Sequence, residues 1–143
     1  MIPSRLLTID LGVNTGWSFS VDCVLDGFGT DKVIETDTLT RLQVWRDWLD
    51  RMIQSMKPDM IIYERPFMSH NAASVSLLNQ QGVLLLVASD WKVDIMGVAV
   101  PTIKKATTQN GRASKGEMID MVKFLFGVDP GTEHAADALG ILC

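Results

Sequence analysis

The sequence predicts an α/β protein built on one mixed sheet, with an antiparallel hairpin at its start and parallel crossovers after it. Two strand-like segments stand close together at the beginning of the chain, and helical and strand-like segments alternate from there on. The composition is that of an ordinary soluble globular protein, because 47% of the 143 residues are hydrophobic and 21% are charged. No repeat, low-complexity tract or linker divides the chain, so we expect a single domain over residues 1–143.

Five short segments are predicted to be strands from their apolar or alternating patterns. The first strand ends in Asp10 and the fourth ends in Glu64, so a carboxylate closes each of these buried segments. The predicted strands cover residues 5–10, 17–21, either 24–29 or 32–36, 60–64 and 93–100.

The helices are predicted from apolar residues at three- and four-residue spacing and from capping residues. Trp45 and Trp48 belong to the apolar stripe of a first helix, and we interpret them as packing residues rather than as part of a cofactor site. A capping box begins the fourth helix at Ser114. The first predicted helix begins at one of the candidate caps Asp37, Thr38 and Thr40 and ends before Pro58. The second covers residues 71–89 and is expected to be mostly buried, and the third covers residues 101–105. The fourth runs from Ser114 to the stop at Gly127, and the fifth covers residues 133–143 after a cap at Thr132.

The cysteines and the lengths of the apolar runs indicate the cellular compartment that we expect for the protein. The chain has two cysteines and no CxxC pair, which suits a reducing cytoplasm and disfavours a cysteine-based zinc site. Cys23 is interpreted as a core residue. The longest apolar run, Val83–Ala88, is far shorter than the roughly 20 residues of a membrane span, so no membrane association is expected.

Charge is unevenly distributed along the chain. The formal net charge is −4, which disfavours a nucleic-acid binder mildly, since such proteins are usually basic. Residues 101–126, however, carry five Lys and Arg against two acidic residues, and residues 127–143 carry three acidic residues and no Lys or Arg. A basic segment beside an acidic helix is what a metal-using phosphodiesterase site requires. A charge imbalance of this size also occurs by chance on solvated protein surfaces.

Four side chains are candidates for a hard-cation site. Asp10 and Glu64 end two strands, and the carboxyl ends of strands in α/β sheets are where ligands bind. His134 and Asp137 are three residues apart on the last predicted helix and therefore share a face. Three carboxylates and an imidazole select Mg²⁺ or Mn²⁺, and two such ions can promote phosphodiester cleavage. Taken alone, an acid after a strand is usually an ordinary turn residue, and the alternative for Asp137 is a place on the exposed face of its helix.

Several short motifs extend over nearly the whole chain. They are Ile9–Gly16, Tyr63–Phe67, Asn71–Ser74, Gln81–Gly82, Ile103–Lys104, Gly111–Lys115 and His134–Leu139. Together, and in this order, they resemble the motifs of the RuvC-type Holliday junction resolvases. The resemblance implies an RNase H-like fold, with a mixed five-stranded sheet and helices on both faces.

The resemblance also implies an activity and a catalytic set. It implies a homodimer without a small-molecule cofactor that binds branched DNA, especially four-way junctions, and nicks two strands symmetrically. Two ions, Mg²⁺ with Mn²⁺ as a plausible substitute, are implied in each active site. The implied metal ligands are Asp10, Glu64, His134 and Asp137. Lys104 and Lys115 match the family's active-site lysines, which would hold the scissile phosphate.

DNA contacts outside the metal site are implied as well. Phe67 matches an aromatic residue that stacks on unpaired bases near the junction centre, although an ordinary core phenylalanine is the alternative. Arg65, Lys105 and Arg112 are candidate phosphate contacts. The predicted helix from Asn71 lies in the segment that carries the family's dimer contact.

Some features depart from the common bacterial pattern. The turn after Asp10 is one residue shorter, and Leu11 stands where proline is frequent. These departures, the short chain and the low net charge suit a compact member such as a phage encodes, which would act in the host cytoplasm.

Three other functions stay open from the sequence. Asp10, Gly12 and Thr15 also fit the phosphate-binding turn of actin-like and sugar-kinase ATPases, although that function leaves Glu64 and Asp137 unused. A non-catalytic binder of branched DNA is a second alternative, disfavoured because carboxylates repel phosphates unless a metal lies between them. A broader nuclease for branched DNA or RNA–DNA hybrids is the third.

Overall fold

The protein is built on a five-stranded mixed sheet. The computed structural model describes residues 3–34, 37–67, 69–131 and 133–141. The strands pair in the order β3-β2-β1-β4-β5, antiparallel between β1 and β2 and between β2 and β3, and parallel between β1 and β4 and between β4 and β5. The predicted mixed sheet with an N-terminal hairpin is therefore confirmed. The strands are β1 (Arg5–Asp10), β2 (Asn14–Val21), β3 (Val24–Lys32), β4 (Met60–Glu64) and β5 (Asp94–Val98).

Five helices complete the described chain. They are α1 (Thr38–Met56), α2 (Ala72–Asp90), α3 (Val100–Thr108), α4 (Lys115–Phe126) and α5 (Glu133–Ile141). The last strand is shorter than predicted and α3 is longer, because the helix begins at Val100, where Pro101 suits a first turn, and continues to Thr108. Thr132, the predicted cap of α5, and residues 142–143, its predicted end, lie outside the described residues, as do residues 35 and 36 of the alternative third strand.

The predicted caps at Asp37, Ser114 and Gly127 form as expected. Asp37 accepts a hydrogen bond from the Thr40 amide at 2.9 Å, and this bond holds the pKa of the Asp37 carboxyl below its usual value. The Ser114 hydroxyl accepts from the Glu117 amide at 3.1 Å, and Gly127 ends α4 in the left-handed conformation with φ 66°.

The main core lies between the sheet and the α1 and α2 layer. Trp45 and Leu49 of α1 are almost completely buried against the sheet, and Leu84 and Val87 of α2 join them. The opposite face of the sheet is covered by α3, α4 and α5. Ile103 of that second layer forms a smaller buried cluster with Met118 and Ile141 on which Ile62 and Val98 of the sheet pack. Helices on both faces are thus confirmed.

Cys23 is exposed, so its prediction as a core residue is wrong. It lies with Asp22 in a two-residue hairpin loop between β2 and β3, and both residues have positive φ, at 50° and 65°. A tight loop of this kind matches the twist of the flanking strands but leaves its side chains at the surface.

The prediction that α2 is mostly buried is also wrong. Only five of its residues are buried, and Val75, Leu85 and Leu86 are exposed. The helix is long and apolar enough, with a mean hydropathy of 1.3, to pass a length and composition test for a membrane span, in contrast to the expectation from run length alone. Its buried side chains nevertheless pack into the main core, so α2 serves one face of a globular sheet protein.

Candidate active site

The register of the sheet brings Asp10 and Glu64 to one edge. β1 and β4 are parallel neighbours, and Ile9 is the register partner of Tyr63, so the next residue on each strand is an acid. Adjacent strands lie about 4.8 Å apart. Both acids project toward the face covered by α5, because Thr8, two residues before Asp10, hydrogen-bonds α5, and Ile62, two residues before Glu64, packs on Ile141.

Helix α5 adds the other two candidates to the same edge. His134 Nδ1 lies 3.5 Å from Asp10 Oδ2, and the Asp10 side chain is only 14% exposed. Asp137 follows three residues later on the same face of α5 and lies close enough to Glu64 to repel its negative charge. The four residues predicted from the sequence are therefore brought together by the structure.

Glu64 is in an unfavourable place for a carboxylate. Burial and the charge of Asp137 raise the pKa of Glu64 from 4.5 to about 7, and Lys104 offsets only part of this effect. Desolvation and a nearby like charge both disfavour ionisation. Perturbation of this kind in a cleft is typical of functional sites.

A cavity of about 140 Å³ opens beside the carboxylates. It is lined by Glu64 and Asp137, by both predicted lysines, and by Val100, Ile103 and Met118. Lys104 reaches it from α3, where it is half-buried, and Lys115 reaches it from the first turn of α4. The cavity thus places two lysines opposite two acids. This arrangement suits a phosphate that the lysines contact directly and the acids contact through a metal ion.

The donor set fits a hard divalent cation, although the described side chains do not already surround one point. No three of the described His, Cys, Asp and Glu residues are grouped tightly enough to hold one ion. The four candidates instead form two neighbouring pairs, Asp10 with His134 and Glu64 with Asp137. The repulsion that raises the pKa of Glu64 is relieved by a cation, and carboxylate oxygen is the ligand that Mg²⁺ and Mn²⁺ prefer.

The predicted DNA-contacting residues lie outside this cavity. Phe67 is 82% exposed, so the alternative of a core phenylalanine is wrong. Phe67 and Arg65 line a separate apolar groove of about 460 Å³, which shares Val100 with the cavity beside Glu64. Lys105 and Arg112 are exposed, on α3 and in the loop after it, and neither is among the residues that line the cavity beside Glu64.

Three residues beneath α5 were not identified from the sequence. Thr8 and Ser18 are fully buried and hydrogen-bond the Ala138 carbonyl, and Gly16 contacts the His134 backbone. A glycine inside a strand signals a close backbone approach, so Gly16 was recognisable in principle. The two hydroxyls carry no such signal, because threonine and serine are ordinary residues on a strand.

Known proteins similar to this chain share one family. Residues 9–143 match the family profile described as "Crossover junction endodeoxyribonuclease RuvC". The protein of that name from Pseudothermotoga lettingae is 34% identical over 104 residues, which cover 71% of this chain and 64% of the relative. The one from Magnetococcus marinus is 30% identical over 152 residues, which cover 97% of this chain and 82% of the relative. The chain therefore spans slightly less than two thirds of the first relative.

A solved structure has the same fold. Thermus thermophilus RuvC in complex with Holliday junction substrate superposes with a TM-score of 0.85 at 21% identity, over 97% of this chain and 90% of that one. This likeness confirms the predicted RNase H-like fold, and the match of the family profile to residues 9–143 covers nearly the whole sequence. The chain belongs to the RuvC family of crossover junction endodeoxyribonucleases.

Proposed function

We propose that the protein is a metal-dependent endodeoxyribonuclease that resolves four-way DNA junctions by paired, symmetric nicks. The observation that carries this proposal is the convergence of Asp10, Glu64, His134 and Asp137 at one edge of the sheet. An ATPase of the actin or sugar-kinase class would leave Glu64 and Asp137 without a role. A non-catalytic DNA binder would not place acids beside phosphates.

The four converging residues are the proposed metal ligands. Two ions are expected, one for each neighbouring pair, with Mg²⁺ favoured by the carboxylates and Mn²⁺ tolerated because His134 is a softer ligand. When bound, such ions supply Lewis-acid stabilisation of the negative charge that develops during phosphodiester hydrolysis. Asp10 and Asp137 would hold the ions in a half-buried setting, where electrostatic interactions are stronger than in water.

The two lysines of the cavity are proposed to hold the scissile phosphate. Lys104 is half-buried next to Glu64, so its position is restrained, whereas Lys115 projects from the exposed first turn of α4. A cation fixed in advance near the phosphate stabilises the transition state without reorganisation. Lys104 is therefore expected to contribute more to the rate, and Lys115 more to binding.

Phe67 is proposed to stack on an unpaired base next to the active site. Its side chain is 82% exposed although it is large and apolar, and it follows Glu64 by only three residues. Stacking on an aromatic side chain contributes about 1–3 kcal/mol per base. Arg65, Lys105 and Arg112 are exposed cations and are proposed to contact backbone phosphates.

The exposed face of α2 is proposed to pair two copies of the chain. Val75, Gly82 and Leu86 recur at helical spacing along one exposed stripe, with Leu85 beside them. A Cβ at Gly82 would meet no atom of the described chain within 4 Å, so a second helix can approach closely there. Two-fold pairing would present two active sites to the two strands of a symmetric junction.

Cleavage of defined substrates tests the proposal. The purified protein is incubated with a mobile four-way junction, a linear duplex and an RNA–DNA hybrid, each with Mg²⁺, with Mn²⁺ and with EDTA. Paired symmetric nicks in the junction alone, lost in EDTA, would support a resolvase. Equal cleavage of the hybrid would replace it with a broader nuclease, and binding without cleavage in either metal would overturn the catalytic proposal.

A further inference from the structure

We propose that Thr8 and Ser18 are positioning residues that fix α5, and with it Asp137 and His134, relative to Asp10. This inference rests on the proposed function, since it assigns the two hydroxyls a role in assembling the metal-binding set. Neither residue faces the cavity or is a metal ligand. Their role is to define where the helix that carries two of the ligands sits on the strand that carries the first.

The contact is a buried three-way hydrogen-bond cluster. Thr8 on β1 donates its hydroxyl proton to the Ala138 carbonyl at 2.7 Å, and Ser18 on β2 lies 3.1 Å from the same oxygen. The two hydroxyls also contact each other. Both side chains are 0% exposed, so water does not compete for these bonds. The acceptor is a backbone carbonyl of α5.

The cluster is close to the ligands on both sides. Ala138 directly follows Asp137 on α5, and Thr8 is two residues before Asp10 on the same face of β1. The register pairs Thr8 with Ser18 and Asp10 with Gly16 on the neighbouring strands. The paired strands β1 and β2 therefore carry the proposed ligand Asp10 and, two residues away, the two hydroxyls that hold α5 with its ligands His134 and Asp137.

Gly16 allows the helix to come this close. A Cβ at Gly16 would lie 2.0 Å from the His134 carbonyl oxygen and 2.4 Å from its carbonyl carbon, which is well inside contact distance. The atoms it would meet are backbone and have no rotamer with which to avoid it. The two hydroxyls thus hold α5 at Ala138, and the absence of a Cβ at Gly16 leaves room for the helix backbone at His134.

Positional precision gives such a cluster a functional consequence. The helical hydrogen bonds of α5 connect its own residues and do not fix where the helix lies on the sheet, so its contacts with the sheet must do so. Catalytic groups must be held within about 0.5 Å of productive geometry. Loss of an outer partner of a metal ligand costs about 10–100-fold in metal affinity or activity. The same range is expected here, although Thr8 and Ser18 act through the helix backbone.

The first test compares two variants that remove buried hydroxyls on opposite faces of the sheet. The double variant Thr8→Val/Ser18→Ala removes both hydroxyls that hold α5. Thr15→Val is the matched control, because Thr15 is also a buried β2 residue whose hydroxyl is hydrogen-bonded, but to Gly12 and to Trp45 on the α1 side. Both exchanges remove buried hydrogen bonds, so both lower the melting temperature.

Metal binding and kinetics separate positioning from stability. The measurements are the Mn²⁺ dissociation constant by calorimetry on the DNA-free protein, and kcat and KM on a four-way junction. For the double variant we expect metal affinity to fall about 10–100-fold and kcat to fall more than KM rises. Thr15→Val should change neither by more than about threefold. Equal effects in the two variants would overturn the inference.

Three single variants, Ser18→Ala, Thr8→Ser and Thr8→Val, keep the test decisive if the double variant does not fold. Ser18→Ala leaves Thr8 as a donor, and Thr8→Ser keeps the hydroxyl, so Thr8→Ser should restore metal affinity that Thr8→Val loses. A Thr8→Ser variant as defective as Thr8→Val would show that packing, and not the hydrogen bond, matters. A wild-type protein that binds Mn²⁺ but cuts no substrate would refute the proposed function, and the metal affinities would still test the role of the hydroxyls.

Discussion

His134 Nδ1 lies 3.5 Å from Asp10 Oδ2, so the first strand and the last helix of the described chain meet at the candidate active site. The contact is partly shielded from water, since the Asp10 side chain is 14% exposed and the His134 side chain 32%. Substitutions at this edge should therefore alter catalysis more than they alter folding.

The first prediction concerns Asp10. Asp10→Asn removes one negative charge with almost no change in shape, so cleavage of a four-way junction should be abolished in Mg²⁺ and in Mn²⁺. Junction binding should be kept or improved, because less negative charge faces the phosphates. Cleavage gels and electrophoretic mobility shifts measure the two effects. Loss of binding together with cleavage would contradict the assignment of Asp10 as a metal ligand.

The second prediction concerns pH and Glu64. Its folded-state pKa is raised to about 7 from 4.5, so between these values the native state binds more protons than the unfolded state. The free energy of unfolding contributed by Glu64 therefore falls as pH rises through that window, and the full penalty is present above pH 7. Glu64→Gln removes it. In metal-free protein the variant should be more stable than wild type at pH 8 by about 1–2 kcal/mol, a value reduced for partial exposure.

Chemical denaturation at several pH values checks this expectation. The stability advantage of Glu64→Gln should shrink as pH is lowered and disappear near pH 4.5, where the unfolded-state carboxyl also becomes protonated. Mn²⁺ should reverse the order at pH 8, because only the wild-type carboxylate gains from the cation. A difference between the two proteins that does not vary with pH would refute the raised pKa.

The third prediction distinguishes two neighbouring lysines. Lys104 lines the cavity beside Glu64 and is half-buried, whereas Lys105 is exposed and is not among the residues that line it. Lys104→Ala should lower kcat about 10²–10³-fold, which is the usual effect of removing one group that stabilises developing charge. Lys105→Ala should leave kcat within about threefold of wild type and weaken DNA binding mainly at low salt. Similar kcat losses in both variants would argue against a specific role for Lys104.

The fourth prediction concerns Phe67, and Phe124 on α4 is its matched control, since each side chain is 82% exposed. Phe67→Ala should weaken the productive junction complex by about 1–3 kcal/mol and slow cleavage accordingly. Phe124→Ala should leave cleavage unchanged. Both variants should keep the free energy of unfolding within about 0.5 kcal/mol of wild type, as expected for exposed side chains. A large fall in melting temperature with normal cleavage would instead make Phe67 a structural residue.

The fifth prediction concerns α2. Leu86, 62% exposed, is the last residue of the apolar stripe that we propose pairs two copies. Leu86→Glu should convert a dimer to a monomer and remove the coupling between the two nicks, because a buried unpaired charge is costly at an interface. Light scattering after size exclusion measures the mass. Leu39→Glu, at an exposed apolar residue of α1, is the control, and a dimer that survives Leu86→Glu would exclude this face.

Much of the fold followed from the sequence because its signals are local. Helix caps such as Asp37 and Ser114, and strands that end in Asp10 and Glu64, depend on residues near one another in the chain. The wrong predictions concern burial, which depends on the tertiary surroundings of a residue. Cys23 is exposed because a tight hairpin turns there, and the apolar stripe of α2 has no cover within the described chain.

The sequence by itself determined which residue types are present at the active edge and, through helical spacing, that His134 and Asp137 share a face. Only the tertiary structure decided that this face meets Asp10, that burial and Asp137 raise the pKa of Glu64, and that Gly16 and two hydroxyls seat α5. The physical reason is range. Periodicity and capping act over a few residues, whereas desolvation, charge repulsion and backbone approach depend on segments far apart in the chain that only folding brings together.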